Sequence, residues 1–358
     1  MDKLGKKTLV INARFLTQQV TGVQRFAIEI SKVLMNEFDS VIFVSPKNIK
    51  NKEIAEQLKV QTFGKFTSHI WEQIELPAFL KKIKNPLLLN LCNTAPLLFN
   101  RNIVCLHDLA FAIEPLWFSK SFRTLYNFLI PKLVHKSLKV LTVSEFSKKS
   151  IISTYKIAPE KIIVVYNAVT DIFKVKENKG KYYNNNFVLT VGSLDPRKNL
   201  VRLVLAYKKL NRKNLDLIIV GSSSKVFAND ELKILINNTA GVKLTGFVDD
   251  KELVKLYQEA CVFVYPSLFE GFGIPPLEAM KVGCPTVVSN TTSLPEICGN
   301  ASLYVNPLDV EDIKSKIEQI LDNDFLRNDL KQKGIQQAQK FNWKNSAKII
   351  YNVINSIK

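Results

Sequence analysis

Short apolar runs alternate with amphipathic helical stretches along this chain, and that alternation restricts the fold more than any other feature. In the first half, six runs of three to five residues are rich in Leu, Ile and Val and carry no charge. Between the first two runs, apolar residues recur at helical spacing over 23–34. Uncharged runs separated by helices are typical of parallel strands covered on both faces. We therefore predict strands at 9–11, 41–44, 87–91, 103–106, 140–143 and 162–165.

The second half repeats this rhythm after a polar break at 174–186. Each of its apolar runs is followed within two residues by Gly or Ser, as expected where a strand turns into a helix. These runs lie at 187–191, 217–220, 242–244, 261–265 and 286–288. The pattern predicts a doubly wound α/β domain, in which ligands bind at the carboxyl ends of the strands.

A chain of 358 residues suits two domains, each of about 150–200 residues. We predict a first Rossmann-like domain over 1–173 and a second over 187–342, with a cleft between them. The remaining segment, 343–358, is predicted to be a helix that packs back across the domains. The hydrophobic fraction of 46% and the charged fraction of 23% exclude disordered, collagen-like and coiled-coil proteins.

An acidic, glycine-containing loop follows the run at 261–265. Residues 270–278 read EGFGIPPLE, and the adjacent prolines predict that a helix begins at Pro275 or Pro276. Glu270 then lies on the loop and Glu278 in the first helical turn. The glycines allow close backbone approach to a ligand, at a helix N-terminus where an anion is favoured. An ordinary strand-to-helix loop with a capping Glu is the alternative.

Two adjacent cations follow the run at 187–191. In the sequence GSLDPRKN at 192–199, Asp195 is a predicted N-cap, and Arg197 and Lys198 fall in the first turn. Cations at that end oppose the helix dipole by up to about 1 kcal/mol. They therefore indicate an anionic ligand such as a diphosphate, with two solvated surface cations as the alternative.

Positive charge is concentrated in the first half of the chain. Residues 1–175 carry 25 Lys and Arg against 13 Asp and Glu, whereas 176–358 carry 25 against 19, within a total of +18. Such a surplus indicates nucleic acid, anionic lipid headgroups or a phosphorylated substrate, or else only a lysine-rich solvated surface. The sign of the charge alone does not discriminate among these four possibilities.

Composition also bears on cofactors and compartment. Five cysteines without a C-x-x-C pair, together with three histidines, predict reduced core thiols in a cytosolic protein and no structural metal. We expect no leader peptide, and the uncharged stretch at 85–100 is too short and too broken to cross a bilayer. The pattern DND at 322–324 is assigned to a polar turn rather than to a metal site.

The loops at 192–198 and 270–278 together resemble the donor site of the family-4 retaining glycosyltransferases, which have the GT-B fold of two facing Rossmann-like domains. The resemblance extends over the whole chain. TGVQR at 21–25 is similar to that family's glycine-containing loop, CLHD at 105–108 to its strand-end His-Asp, and VSEFS at 143–147 to its strand-end Ser.

The resemblance implies a role for each matching residue. The diphosphate would be neutralised by Arg197 and Lys198, and the sugar hydroxyls would be bound by Glu270. His107 would contact the transferred sugar, and Glu278 would accept hydrogen bonds from the ribose hydroxyls. The remaining predicted donor-site residues are those whose backbone approaches the donor: Gly22, Gly192, Gly271, Phe272 and Gly273.

The implied activity is retaining transfer of a hexose from a nucleotide-diphosphate sugar, with GDP-mannose the first expectation and UDP- or dTDP-sugars next. The acceptor would be a lipid-diphosphate-linked glycan or an oligosaccharide in O-antigen or capsule synthesis, with no metal cofactor. The basic surplus would suit a cytoplasmic enzyme at the anionic inner face of the membrane. The alternatives are a basic nucleic-acid-binding protein, which leaves Glu270 and Glu278 unexplained, and a sugar-nucleotide epimerase of the same fold.

Overall fold

The computed structural model describes residues 8–38, 40–84, 86–174, 186–221 and 230–357. The chain divides into two compact units, one of Met1–Asn167 with Asn342–Lys358 and one of Ala168–Phe341. Most of the predicted polar break at 174–186 lies outside the described residues.

The first unit contains a parallel sheet of seven strands in the order β3-β2-β1-β4-β5-β6-β7. All six predicted runs form strands. The sequence pattern missed β3, because this exposed two-residue strand has no apolar run. The strands are β1 (Leu9–Asn12), β2 (Val41–Ser45), β3 (Gln61–Thr62), β4 (Leu87–Asn90), β5 (Asn102–Cys105), β6 (Lys139–Thr142) and β7 (Ile162–Val164).

Helices of the first unit connect and cover these strands. The predicted amphipathic helix is α1, whose start is fixed by a capping box between Thr21 and Gln24. A π-helical segment, Trp71–Glu75, joins α3 to α4. The helices are α1 (Gly22–Glu37), α2 (Lys52–Gln57), α3 (Ser68–Ile70), α4 (Leu76–Lys82), α5 (Ala110–Ile113), α6 (Lys120–Lys136) and α7 (Glu145–Tyr155).

The second unit contains a parallel sheet of six strands in the order β10-β9-β8-β11-β12-β13. The five predicted runs form strands, and β13 adds a sixth that apolar patterning did not indicate. The strands are β8 (Phe187–Val191), β9 (Asp216–Val220), β10 (Val242–Gly246), β11 (Val262–Tyr265), β12 (Thr286–Ser289) and β13 (Ser302–Val305). The helices are α8 (Leu200–Leu210), α9 (Asp230–Asn237), α10 (Asp250–Glu259), α11 (Ile274–Lys281), α12 (Leu294–Cys298), α13 (Val310–Asp322) and α14 (Asp324–Gln339).

The last helix, α15 (Trp343–Ser356), follows the second unit in sequence but belongs to the first. It packs on α1, with the ring of Trp343 edge-on to Phe26 at 6.0 Å. Ser346 Oγ also donates a hydrogen bond to the Tyr166 carbonyl at 2.6 Å. Within the described residues, no helix is long and apolar enough to span a bilayer.

Both sheets have the strand order of a doubly wound fold, which confirms the predicted α/β class. In the first sheet the order reverses between β1 and β4, and in the second between β8 and β11. Ligands of such sheets bind outside the carboxyl ends of the strands at this switch point. The fold therefore directs attention to the loops that follow β1 and β4, and to those that follow β8 and β11.

Candidate active site

The loop after β8 contains Arg197 and Lys198, the two predicted cations, in a turn that is separate from the following helix. Pro196–Lys198 forms a separate 3-10 turn, and α8 begins only at Leu200. Asn199 interrupts the helix with a left-handed backbone (φ 58°), and its side-chain amide donates to the carbonyls of Pro266 at 3.0 Å and Pro307 at 2.6 Å. The predicted N-cap Asp195 and the first turn that contains Arg197 and Lys198 are therefore confirmed. That turn is 3-10 and does not continue into α8, because these long-range bonds hold Asn199 in a conformation that a helix excludes.

Lys198 is the buried centre of the site. Its Nζ lies 2.6 Å from Glu270 Oε1 and 2.5 Å from the Tyr265 hydroxyl. The predicted Gly192 lies beneath it, since a Cβ there would stand 3.3 Å from the Lys198 methylenes. Glu270 Oε1 also accepts hydrogen bonds from Ser267 Oγ at 2.6 Å and Tyr265 at 2.9 Å. The loops after β8 and β11 are thus joined by one buried ion pair.

Arg197 lies on the more exposed side of the same carboxylate. Its guanidinium NH1 is 3.4 Å from Glu270 Oε2 and 3.3 Å from the Phe269 carbonyl, and 24% of the side chain is exposed. A looser contact of 3.8 Å joins its Nε to Asp195. Arg197 is therefore the more accessible of the two cations to an anion, and Lys198 keeps 10% of its side chain exposed.

The charges of this cluster are set by mutual pairing. Burial acts to raise the pKa of Glu270, but Lys198 and Arg197 outweigh it and lower the pKa to about 2. Burial lowers the pKa of Lys198. The neighbouring charge of Arg197 lowers it further, whereas the charge of Glu270 raises it. We assign both side chains their charged forms, because the contact between them is a short bond between opposite charges.

The glycine-containing loop is shaped for close packing. Gly273 has φ 100°, and a Cβ there would lie 2.6 Å from Leu294 Cδ2. The ring of Phe272 is buried edge-on to Phe341 at 5.6 Å, so this predicted donor-site residue anchors the loop through its side chain. Gly271 is buried beside it. α11 begins at Ile274, one residue before the earlier of the two predicted starts, Pro275.

The loop after β12 holds the Glu270 loop from behind. Thr292 Oγ1 accepts a hydrogen bond from the Glu270 backbone N–H at 3.2 Å. Ser293 Oγ donates to the carbonyls of Glu270 at 3.0 Å and Phe272 at 2.9 Å. Thr292 does this with φ 59°, a conformation that β-branched residues rarely adopt and that costs about 1–3 kcal/mol. The strain indicates that the position of Glu270 is strongly constrained.

Glu278 lies in the same unit but in a different environment. It is the fifth residue of α11, just past the predicted first turn, and it is buried. Its Oε2 accepts a hydrogen bond from the Tyr257 hydroxyl at 3.2 Å. Burial and Glu278 together raise the pKa of Tyr257, so the phenol remains a hydrogen-bond donor.

The first unit contains the other two predicted residues. His107 follows β5, where its Nε2 lies 2.9 Å from the Leu91 carbonyl and its ring meets Phe26 edge-on at 5.0 Å. Burial lowers the pKa of His107, which favours the neutral ring. Gly22 begins α1, and the carbonyl of the next residue, Val23, accepts a 3.8 Å contact from the Cys92 thiol. The start of α1 and the loop after β4 are therefore neighbours.

A buried polar network in the first unit was missed by sequence reasoning. Glu72 Oε1 accepts from Asn12 Nδ2 at 2.8 Å and from Arg14 Nε at 3.1 Å. Thr94 Oγ1 accepts from Arg14 NH2 at 2.8 Å and donates to Glu72 Oε2 at 2.7 Å. Asn12 also donates to Asn90, the last residue of β4, at 3.0 Å. The available signal was the pair of polar residues, Asn12 and Arg14, directly at the end of the first strand.

The cysteines and the acidic residues at 322–324 were considered as metal ligands. The five cysteines are thiols rather than disulfides. Asp322 pairs with Arg212, and Asp324 pairs with Arg327. Across the described ranges, no group of three or more His, Cys, Asp or Glu is arranged to hold a metal ion.

Proteins with similar sequences are glycosyltransferases. Residues 171–337 match the family model described as "Glycosyl transferases group 1". The chain is 34% identical to O-antigen chain mannosyltransferase B of Escherichia coli over 263 residues, 68% of each protein. It is 31% identical to O-antigen chain mannosyltransferase RfbU of Salmonella typhimurium over 330 residues, 89% of this chain and 88% of that one.

Solved structures agree on the fold. The crystal structure of Anabaena Alr3699/HepE in complex with UDP and glucose superposes with a TM-score of 0.77 at 18% identity, covering 98% of this chain and 100% of that one. A glycosyltransferase from Rickettsia africae gives a TM-score of 0.76 at 18% identity, covering 99% and 100%. The two doubly wound sheets and these matches confirm the predicted fold and enzyme class: the chain belongs to the glycosyl transferases group 1 family and is a glycosyltransferase of the GT-B fold.

Proposed function

We propose that this protein transfers a mannosyl group, with retention of configuration, from a nucleotide-diphosphate sugar to a glycan acceptor in surface polysaccharide synthesis. The observation that carries the proposal is the cluster of Arg197, Lys198 and Glu270 at the switch point of the second sheet. The two relatives whose names describe O-antigen mannosyltransferases support the choice of sugar and of pathway.

In this proposal the two cations stabilise the leaving group. The bond between the anomeric carbon and the donor phosphate breaks, and negative charge develops on the diphosphate. Arg197 and Lys198 bind that charge where water is largely excluded, which makes each contact stronger than in bulk water. The acceptor oxygen bonds to the anomeric carbon from the same face, and its proton goes to the departing phosphate oxygen. This route requires no enzymic nucleophile.

Glu270 has two roles in this proposal. Its Oε1 accepts three short hydrogen bonds, from Lys198, Tyr265 and Ser267, and so holds Lys198 in place. Its Oε2 accepts only the 3.4 Å contact from Arg197 among the residues described. That oxygen therefore retains the capacity to accept a hydrogen bond from a hydroxyl of the transferred sugar.

The remaining predicted residues complete the proposal. Glu278, oriented by Tyr257, binds the ribose hydroxyls, and the backbone of 271–273 and of Gly192 approaches the donor. Gly22 at the start of α1 and His107 after β5 act from the first unit, His107 on the transferred sugar.

Release of nucleoside diphosphate tests the activity. Purified protein is incubated with GDP-mannose, UDP-glucose or dTDP-rhamnose, with and without a mannose-terminated lipid-linked acceptor. We expect GDP-mannose to be consumed fastest and the new linkage to keep the donor's anomeric configuration, read from the anomeric proton signal. Lys198→Ala should lower turnover by about 100-fold or more, as for the loss of a group that stabilises the transition state.

The matched control is Lys208→Ala, which removes an exposed lysine from α8. It should turn over within about twofold of the wild type. Failure to consume any of the three donors would refute the proposed activity. Equal losses in the two lysine variants would refute the assignment of Lys198.

We further propose that the first unit binds an anionic membrane surface where the acceptor resides. Each basic residue near such a surface contributes about 1 kcal/mol. Exposed lysines cluster in two segments of this unit: Lys47, Lys50, Lys52, Lys81, Lys82 and Lys84.

Co-sedimentation with vesicles of anionic and neutral lipid tests the membrane proposal. Reversing Lys81, Lys82 and Lys84 to Glu should reduce partitioning into anionic vesicles by about 100-fold or more. The control reverses three exposed lysines of the second unit: Lys208, Lys213 and Lys251. Unchanged partitioning of the first variant, or equal loss in both, would exclude this surface.

A further inference from the structure

The Glu72 network lies at the switch point of the first sheet, the position equivalent to that of the cation cluster in the second. Asn12 is the last residue of β1, and Asn90 is the last residue of β4. Since ligands of doubly wound sheets bind outside these strand ends, the location by itself indicates a second ligand position. Arg14 and Glu72 neutralise each other there at 3.1 Å, so the network favours a neutral hydrogen-bonding ligand over a phosphate.

The segment that carries Glu72 has an unfavourable backbone conformation, and the stability of the network does not explain it. Ser68 has φ 54°, and residues 71–75 form a π-helical segment. Such segments are rare in proteins, and those that occur are often found at functional sites. Glu72 is 1% exposed, and a buried ion pair adds little stability compared with apolar packing. This local geometry brings the Glu72 carboxylate beside Nδ1 of His69.

His69 is the member of the network that reaches solvent. Its Nδ1 lies 3.4 Å from Glu72 Oε2, and 24% of its side chain is exposed. The ring stands edge-on to Tyr126 at 6.2 Å. Glu72 Oε2 accepts the hydrogen bond from His69 Nδ1, which leaves Nε2 as the ring nitrogen that faces away from the network. Within the described part of the chain, no bond is made to Nε2.

We infer that His69 is a specificity-determining residue for the acceptor, that an acceptor hydroxyl forms a hydrogen bond with His69 Nε2, and that Glu72, fixed by Arg14, is the positioning residue of His69. The inference rests on the proposed glycosyl transfer, because a glycan acceptor is the neutral, hydroxyl-rich second substrate of that reaction. Loss of His69 should therefore affect the acceptor and leave the donor unaffected.

Two isosteric variants separate the two ring nitrogens. Asn at position 69 retains an N–H toward Glu72 and has no polar atom at the position of Nε2, whereas Gln places its amide group near that position. His69→Asn should raise the acceptor KM about tenfold, and His69→Gln should stay within about threefold of the wild type. Donor hydrolysis without acceptor should change by less than about twofold in both, since no donor contact is lost.

The control is His135→Gln, which alters an exposed histidine of α6 whose Nδ1 lies 2.7 Å from the Pro131 carbonyl. It should leave both substrates unaffected. An acceptor KM in His69→Asn equal to that of the wild type would overturn the inference. So would a matching fall in donor hydrolysis, because that would indicate a general structural effect.

A binding measurement keeps the inference separable from the proposed function. The chain has three histidines, so their ring-proton signals are assigned with three variants. Methyl glycosides of mannose-, galactose- and N-acetylglucosamine-terminated disaccharides are titrated without donor, and at least one should shift the His69 signal while leaving that of His135 in place. If none moves the His69 signal, the inference is wrong even when sugar transfer is observed. A specific shift without any transfer would instead refute the proposed function alone.

Discussion

Replacing Glu270 by Gln removes one charge from the buried cluster while preserving its shape. In the folded protein the pKa of Glu270 lies at about 2, against an ordinary 4.5, because Lys198 and Arg197 outweigh the effect of burial. At about 1.36 kcal/mol per pKa unit, this difference is worth about 3 kcal/mol of stability at pH 7. Loss of one partner from a buried ion pair costs about 3–5 kcal/mol, which is the same range.

The pH dependence follows from the lowered pKa. A carboxylate with a depressed folded-state pKa stabilises the protein fully above its unfolded value of 4.5, and this contribution is lost as the pH falls through about 2. The difference between wild type and Glu270→Gln should therefore shrink from about 3 kcal/mol at pH 7 to about 2 kcal/mol at pH 3.5.

Urea unfolding of the full chain measures this difference. All three tryptophans, Trp71, Trp117 and Trp343, lie in the first unit, so their fluorescence reports that unit while far-ultraviolet circular dichroism reports both. The control is Glu318→Gln, which breaks a half-exposed pair with Lys314 and should cost less than about 0.5 kcal/mol. A loss below about 1 kcal/mol at pH 7, or one that is the same at pH 3.5, would refute the assignment of a buried ion pair.

Three further outcomes are expected. Gly273→Ala should cost about 3 kcal/mol in urea unfolding, because it combines a φ of 100° with a Cβ placed 2.6 Å from Leu294. Thr292→Gly should lower turnover about tenfold by freeing the Glu270 backbone, whereas Thr292→Ser keeps the hydroxyl and should stay near the wild type in steady-state assays. His107 should titrate below pH 6.5 in its ring-proton signal, and stability should decline below that pH because the unfolded chain takes up the proton first.

Each of these outcomes has a control or a contradicting result. Gly246 has φ 75°, and a Cβ added there would meet no atom within 4 Å, so Gly246→Ala should show only the strain of about 1 kcal/mol. Equal losses of unfolding free energy in Gly246→Ala and Gly273→Ala would show that the contact with Leu294 does not contribute to the cost at position 273. Equal turnover of the two Thr292 variants would show that its hydroxyl does not position Glu270. Titration of His107 at or above pH 6.5 would contradict its burial.

The strands and the family could be predicted from the sequence because both depend on local patterns. A parallel strand buried on both faces must be a continuous apolar run, so β1, β2 and β8 are visible without any tertiary information. Gly273 permits a left-handed backbone and the two prolines fix φ at the helix start, so these residues by themselves place the acidic loop directly before α11.

Contacts between distant parts of the chain decided the rest. Asn199 is left-handed because its amide reaches carbonyls 67 and 108 residues away, which no local pattern encodes. Arg14 and Glu72 are separated by 58 residues and meet only when β1 and the π-helical segment come together. Local propensity therefore determined which segments became strands and helices, whereas the partner of each buried charge was decided only by tertiary packing, since an ion excluded from water must find its counter-charge wherever the fold supplies one.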